Sequence, residues 1–204
     1  MSRKTNIKYT TSIIVFIKNP RLGHVKTRLA KDVGDKKALE IYLKLTDHTR
    51  QVLEAAPYVN RNVYYSEFVD AEDDWSVDLF DKGLQASGDL GDRIQHAFTE
   101  VFAQNEKVII IGSDCAQLTT DHIIQAIDAL DDHNVVIGPS LDGGYYLLGM
   151  DGNYSFLFEN IKWSTESVFE ETKSKALAQK LSVKEIEKLS DIDYIEDWEK
   201  YGLD

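Results

Sequence analysis

The sequence predicts an α/β fold with a mainly parallel central sheet covered by helices, and three observations carry that prediction. Residues 12–18 and 107–112 are short, continuous apolar runs rich in β-branched residues, the pattern of strands buried on both faces. Segments with apolar residues at three- and four-residue spacing lie between such runs, so that strand, helix and strand alternate repeatedly along the chain. Right-handed crossovers then set the strands side by side in one sheet. The length of 204 residues is little more than one domain at about 150 residues each, and residues 1–204 are expected to form a single domain.

Taken in order, the first strand ends in Asn19-Pro20-Arg21-Leu22-Gly23, a turn-forming cluster. Lys26-Thr-Arg-Leu-Ala30 leads into a helix over about residues 35–56, with the apolar stripe Ala38, Tyr42, Leu45, Thr49, Val52 and Ala56, and Pro57 stops it. Residues 62–66 form a second strand. The acidic stretch 70–75 reads as a solvated loop or helix end and is given no function. Asp89 is placed to cap a helix with the stripe Leu90, Ile94, Ala97, Phe98 and Val101. The run at 107–112 is followed by a helix capped by Thr120 or Asp121. Residues 134–138 and 145–149 are further strands, 167–179 a helix, and 182–186 a last edge strand.

Composition narrows the function classes. Lys plus Arg number 23 and Asp plus Glu 35, a formal net charge of −12, with 43% hydrophobic and 28% charged residues, as in ordinary globular proteins. So negative a chain lacks the field that drives general nucleic-acid binding, and no nucleic-acid partner is expected, although a local basic pocket can still hold a small anion. The lone Cys115 cannot close an internal disulfide, which suits a cytoplasmic setting. Residues 1–9 lack the apolar core of a signal peptide, and no run approaches the roughly 18 apolar residues of a membrane span. Oligomeric state is left open.

In open α/β sheets, ligands bind beyond the carboxyl ends of the strands. After the first strand stand Lys18, Arg21, Gly23, Lys26 and Arg28, a concentration of cations in an otherwise acidic chain. A Gly-containing turn offers backbone N–H groups and the cations add charge, so the loop suits an oligophosphate; a chance basic surface patch is the plainer alternative. It is no P-loop, since Gly-x-x-x-x-Gly-Lys-Ser/Thr is absent. Asp114, after the strongest strand, stands where one carboxylate can hold Mg²⁺ against phosphate oxygens, or where it simply approaches a helix. Cys115 beside it has no His-Asn partner pattern and reads as a small buried residue. Asp142, Gly143 and Gly144 offer close backbone approach and a carboxylate for substrate hydroxyls, or a plain Asp-Gly hairpin turn. Ser164 and Thr165 could cap a helix or present N–H groups to an anion. Asp191 to Asp197 is either a source of a second metal carboxylate or an exposed charged tail. The five histidines show no zinc spacing and fit surface positions.

Several of these segments together carry a family resemblance. Phe16-Ile-Lys-Asn-Pro-Arg-Leu-Gly-His-Val-Lys-Thr-Arg-Leu-Ala30, Gly88-Asp-Leu-Gly-Asp-Arg93, Gly112-Ser-Asp-Cys115 and Asp142-Gly-Gly-Tyr-Tyr-Leu-Leu-Gly149 resemble the bacterial GT-A-fold glycosyltransferase-like family of small proteins often found beside radical SAM genes. Trp163-Ser-Thr165 and Asp191-Ile-Asp193 fit the same pattern. The wider nucleotide-diphospho-sugar transferase superfamily includes the molybdenum cofactor and 2-phospholactate guanylyltransferases, whose Lys-Ser/Thr-Arg-Leu loop is similar. The chain departs in having Ala116 and Tyr194 where family members usually carry proline and threonine.

The resemblance implies a Rossmann-like GT-A three-layer sandwich in which Arg21, Lys26 and Arg28 grip donor phosphates. It implies Mg²⁺ or Mn²⁺ on Asp114 with Asp193 as second ligand, Gln85, Gly88 and Asp89 near the base or ribose, and Asp142, Gly143, Gly144, Ser164 and Thr165 facing acceptor or sugar. Asp114, Lys26 and Asp142 are the expected catalytic residues. The partners implied are a nucleotide sugar or nucleoside triphosphate and a small-molecule acceptor. Glycosyl transfer is the leading expectation. Nucleotidyl transfer with pyrophosphate release is the alternative, favoured by the single acid of Gly112-Ser-Asp-Cys115, and a nucleotide-binding protein without turnover is the third.

Overall fold

The computed structural model describes residues 9–203. The expectation for residues 1–8, that they hold no signal-peptide core, lies outside the described residues. Seven strands form one sheet: β1 (Thr11–Ile17), β2 (Asn60–Tyr65), β3 (Asp81–Leu84), β4 (Lys107–Ile111), β5 (Val135–Pro139), β6 (Tyr145–Met150) and β7 (Val183–Glu185), in the order β3-β2-β1-β4-β6-β5-β7. The pairs β1–β2, β1–β4, β2–β3 and β5–β7 are parallel, while β6 runs antiparallel to both β4 and β5. The α/β class with a mainly parallel sheet is therefore observed, with one reversed strand in its middle.

Residue alternation on the strands explains the three layers. Ile13, Val15 and Ile17 of β1 join Ile109 and Ile111 of β4 under α1 (Ala30–Ala55) and α3 (Thr120–Ala129). Ile14, Val108 and Ile110 join Leu148 on the opposite face, under α2 (Leu90–Phe102) and α4 (Val168–Ala178). The stripe on α1 is buried as expected, with Ala38, Tyr42, Leu45, Thr49 and Val52 all facing inward. Its early turn, before residue 35, is separated by Gly34 in a left-handed conformation (φ 79°), which only glycine adopts cheaply. A third, smaller core of Leu29, Ile41, Leu45, Ala116 and Ile192 docks the C-terminal α5 (Ile195–Tyr201) against the start of α1.

Some local expectations are corrected. α3 is capped at Thr119, not Thr120 or Asp121, because Thr119 is the extended residue and the His122 ring accepts from its N–H. The acidic stretch 70–75 is not merely solvated: Asp73 accepts from the Tyr65 hydroxyl at 2.6 Å and pairs with the buried Lys82 ammonium at 2.6 Å. His122 is buried and His48 bonds the Leu118 carbonyl, so two of the five histidines serve packing rather than the surface. Among the described residues no helix is long and apolar enough to cross a membrane.

The reversed β6 gathers the polar loops at one edge. Because β1, β2, β4, β5 and β7 share a direction, the segments after them all emerge at the same side of the sheet, where β6 also begins. A parallel bridge from Ser140 to Leu189 then draws the chain after β7 across that edge, toward β4.

Candidate active site

The basic loop after β1 is folded by turns rather than by helix. The His24 N–H donates to the Arg21 carbonyl, and the Ala30 N–H to that of Lys26. Gly23 (φ 76°) and Lys26 (φ 47°) are both left-handed, which for lysine is an unfavourable backbone state held by its surroundings. That conformation turns the Lys26 side chain inward. Its side chain is only 4% exposed, with the ammonium 2.7 Å from Asp114 Oδ1 and 3.7 Å from Asp193 Oδ1, while the two carboxylates are 45% and 31% exposed. Arg28, half exposed, closes on the other oxygen of Asp193 at 2.8 Å.

Asp193 reaches this point through main-chain contacts that residue spacing does not reveal. The Ile192 N–H donates to the Asp114 carbonyl at 2.9 Å, and Ile192 is fully buried beside Leu29 and Ala116. The Asp197 carboxylate then accepts from the Asp193 and Tyr194 N–H groups, which fixes the start of α5. Tyr194, at the helix N-cap, keeps an exposed ring, so this bulky residue leaves Asp193 facing Lys26 and Arg28.

Asp191 completes a crowd of acids. Burial raises its carboxyl to about 7, helped by the Asp114 and then the Asp142 carboxylate, with Lys26 opposing and Asp193 adding. The same Asp114 charge, after burial, raises the Tyr42 hydroxyl, which accepts from the Lys18 N–H and donates to its carbonyl. Asp191 therefore belongs to the cluster, and its signal in sequence was only its place two residues before Asp193. Cys115 is buried, its thiol pushed up to about 12 by burial and then by Asp191, which makes it a packing residue.

The remaining candidates sit around this centre. Asp142 accepts from the Ser140 hydroxyl and from the Gly144 N–H at 2.9 Å, within the turn joining β5 to β6. A Cβ at Gly143 (φ 90°) would collide with the Glu166 carbonyl, and the Gly143 carbonyl accepts from the Phe169 N–H, so this turn lies directly on the segment holding Ser164 and Thr165. Trp163 in turn fills the space at Gly91, joining that segment to the start of α2. Ser164 and Thr165 are not the helix cap, which falls at Ser167; the Thr165 hydroxyl bonds the Lys162 carbonyl instead.

Toward β2 and β3 the edge opens into a cavity of about 290 Å³ lined by Lys18, Asn19, His24, Ser66, Glu67 and Arg93. Arg21 pairs with Glu67 at 2.8 Å at this side, apart from the Lys26 ion pairs. Gln85 bridges the Ile17 and Tyr64 carbonyls through its Nε2, which spends the amide donor on joining strand ends. Asp89 accepts from the Asp92 N–H and Asp92 from that of Asp89, a reciprocal cap at the start of α2. Gly88 (φ 111°) precedes it, its carbonyl held by Arg93 Nε. Of the lining residues only Lys18 has a site role assigned from the sequence; Asn19, His24 and Arg93 lie in the quoted motifs without a role, Ser66 and Glu67 follow β2, and the buried Asn19 clamps residues 67 and 68.

Two features bear on a metal. Among the described residues no group of three or more His, Cys, Asp or Glu side chains could hold an ion. Mg²⁺ sites on phosphate substrates, however, usually use one or two carboxylates with phosphate oxygens completing the shell, and Asp114 with Asp193 is such a pair. The charge count agrees: with every carboxyl ionised, Asp114, Asp142, Asp191 and Asp193 against Lys26 and Arg28 leave a formal −2, an excess that adds to burial in raising the Asp191 carboxyl. The hard oxygen donors present fit Mg²⁺ or Mn²⁺.

The fold is that of the nucleotide-diphospho-sugar transferases. A protein assigned as a nucleotide-diphospho-sugar transferase from Desulfovibrio desulfuricans G20 superposes with a TM-score of 0.84 at 28% identity, covering 92% of this chain and 84% of its own. Residues 45–165 match the model of a family described as "Uncharacterized protein conserved in bacteria (DUF2064)", and the chain belongs to that family. Two more distant structures share the fold. The 4-diphosphocytidyl-2C-methyl-D-erythritol synthase of Anaerococcus prevotii DSM 20548 has a TM-score of 0.63 at 13% identity over 96% of this chain and 95% of its own. Rv0371c of Mycobacterium tuberculosis H37Rv, solved in complex with manganese, has a TM-score of 0.56 at 13% identity over 94% and 97%. No curated protein matches the sequence.

Proposed function

We propose that this protein is a divalent-metal-dependent transferase that draws on a nucleotide-activated donor, in the cytoplasm, and that the reaction it performs is glycosyl transfer from a nucleotide sugar to a small-molecule acceptor. The observation that carries the reading is the buried Lys26 ammonium set between the carboxylates of Asp114 and Asp193 at the carboxyl edge of the sheet. In an acidic protein, such a placement is useful for meeting phosphate oxygens in a low-dielectric site, where a charge acts far more strongly than in water.

The residues divide the work. Lys26 and Arg28 hold the donor phosphates, Lys18 and Arg93 line the cavity assigned to the nucleoside, and Gln85, Gly88 and Asp89 are assigned to the base or ribose on the family resemblance. Asp114 and Asp193 would hold Mg²⁺ or Mn²⁺, which when bound neutralises phosphate charge as the leaving group departs. Asp142, with Gly143, Gly144, Ser164 and Thr165 beside it, orients acceptor or sugar hydroxyls. The assigned activity of the Desulfovibrio protein supports this reading.

Nucleotidyl transfer is the second reading, favoured by the lone acid after β4 and by the Anaerococcus synthase, whose name describes a diphosphocytidyl product. Thermal unfolding against nucleoside triphosphates, diphosphates and nucleotide sugars, each with Mg²⁺, Mn²⁺ or EDTA, separates the two. A ligand at about 100 times its dissociation constant adds roughly 2.7 kcal/mol, a rise of about 5–11 °C for a chain this long. Metal-dependent stabilisation by one nucleotide sugar, lost in Asp114→Ala, is the expected result. Preference for a triphosphate would move the assignment to nucleotidyl transfer, and no shift with any nucleotide would remove both.

A further inference from the structure

Lys26 is in the place a metal would take. Its ammonium lies between Asp114 and Asp193, 2.7 Å and 3.7 Å from their nearer oxygens. Yet among the described residues it makes no hydrogen bond of acceptable geometry, although it is buried. The 2.7 Å contact with Asp114 is a close ion pair, and the ammonium has donor capacity left for further acceptors. Both carboxylates remain partly open to solvent, whereas the lysine that joins them is not.

We infer that Lys26 is an internal substitute cation that makes metal binding conditional on the phosphate ligand. A divalent ion and an ammonium cannot share the space between the same two carboxylates, because like charges a few ångströms apart repel strongly at low dielectric. Phosphate oxygens offer the ammonium further acceptors and compete with the carboxylates for it. The pair Asp114 and Asp193 is then free for the metal that arrives with the phosphate. The left-handed backbone at Lys26, within a loop held by turns, is a strained setting from which the side chain can be redirected. Order follows: phosphate and metal enter together, and metal alone is refused. This rests on the nucleotide and metal reading above and extends it to how the site is gated.

The test is Mn²⁺ binding measured by water-proton relaxation enhancement, with Mn²⁺ alone and with Mn²⁺ plus inorganic pyrophosphate. The wild type, Lys26→Met and Lys26→Gln are compared after circular dichroism confirms folding; the two variants replace the buried ammonium by an apolar and by a neutral polar group of similar length. Lys37→Gln is the control, since it removes an exposed cation that pairs with Glu40 on α1 and leaves the site intact. The expected result is weak binding of Mn²⁺ alone by the wild type and by Lys37→Gln, and at least about tenfold tighter binding by the Lys26 variants, within the 5–150-fold range usual for coupled ligands. Pyrophosphate should bring Mn²⁺ onto the wild type. If the Lys26 variants bind Mn²⁺ alone no tighter than the wild type while pyrophosphate still recruits it, the gating role is overturned and the transferase reading stands. Equal Mn²⁺ binding by the wild type with and without pyrophosphate would likewise overturn the gating role. Absence of bound Mn²⁺ in every arm overturns both.

Discussion

Residues 70–74 and 191–197 are two acidic segments of similar composition with opposite fates. In the first, Asp73 meets the Tyr65 hydroxyl and Lys82, and Lys82 also bonds the Asp70 carbonyl, so Asp73 is paired in the same corner of the sheet while Glu72 and Asp74 stay exposed. In the second, Asp191 and Asp193 are carried by the buried Ile192 onto Asp114, where acids outnumber the cations Lys26 and Arg28. A run of carboxylates thus says little by itself; what decides its chemistry is whether the fold leaves the acids spread over solvent or gathers them with acids from elsewhere in the chain. In the first segment one acid braces a loop and the others stay dispersed, whereas in the second the acids converge on Lys26.

The comparison can be broken from either side. The largest effect is expected at the first segment: Asp73→Ala strands the nearly buried Lys82 charge and should cost ~3 kcal/mol, a fall of about 6–12 °C in Tm. Nucleotide-dependent stabilisation should persist in that variant. Asp114→Ala should instead lower turnover about 100-fold or more, equivalent to ~2.7 kcal/mol, and abolish the nucleotide-dependent stabilisation, while the metal-free protein loses less stability than Asp73→Ala does, because Asp193 remains as a partner of the buried Lys26 ammonium. Steady-state rates and melting curves on both variants check the pair of outcomes.

Asp191→Asn sharpens the contrast through pH. The native carboxyl is raised from 3.8 to about 7, so the folded protein keeps a proton that the unfolded chain releases. Its favourable contribution is complete below pH ~4 and fades as pH rises through about 7. In EDTA, Asp191→Asn should therefore melt higher than wild type at pH 8, by ~3–5 °C if only one pKa unit's worth of energy is recovered, and equal to it near pH 4. The smallest effect is expected for Arg21→Gln, whose exposed pair with Glu67 contributes under ~1 kcal/mol to stability; its Tm should move by less than ~3 °C.

The apolar signal made much of the scaffold legible. Runs such as Ile13 to Ile17 and Val108 to Ile111 are buried on both sheet faces and read directly as strands, and the α1 stripe follows from its spacing. Strand direction does not follow, since an apolar run looks the same parallel or antiparallel, and β6 was readable as a strand but not as a reversed one. β3, with the sequence Asp-Lys-Gly-Leu, is paired on one side only and lacks the β-branched residues that mark a strand.

At the site, Lys26, Arg28 and Asp114 stood out as charged residues just past strands, and the fold brings them together with Asp193. Arg93 did not, because it lies on the first turns of α2 and reaches the cavity only through the packing of that helix. Asp191 was hidden for another reason: its environment is made by Asp114 and Asp142, far away in sequence. Ser164 and Thr165 were legible as polar residues before a helix, but the cap falls at Ser167 because residue 164 is left-handed (φ 62°) and turns the chain once more.

The most direct measurement is paramagnetic broadening of the assigned amide spectrum of ¹⁵N-labelled protein by substoichiometric Mn²⁺ in the presence of the nucleotide that stabilises it. Signals of residues 26–28, 113–115 and 191–193 are expected to broaden first, with those of residues 70–75 retained. Broadening that begins at 70–75, or that spreads evenly over the acidic surface, would contradict a metal and phosphate centre built from Lys26, Asp114 and Asp193.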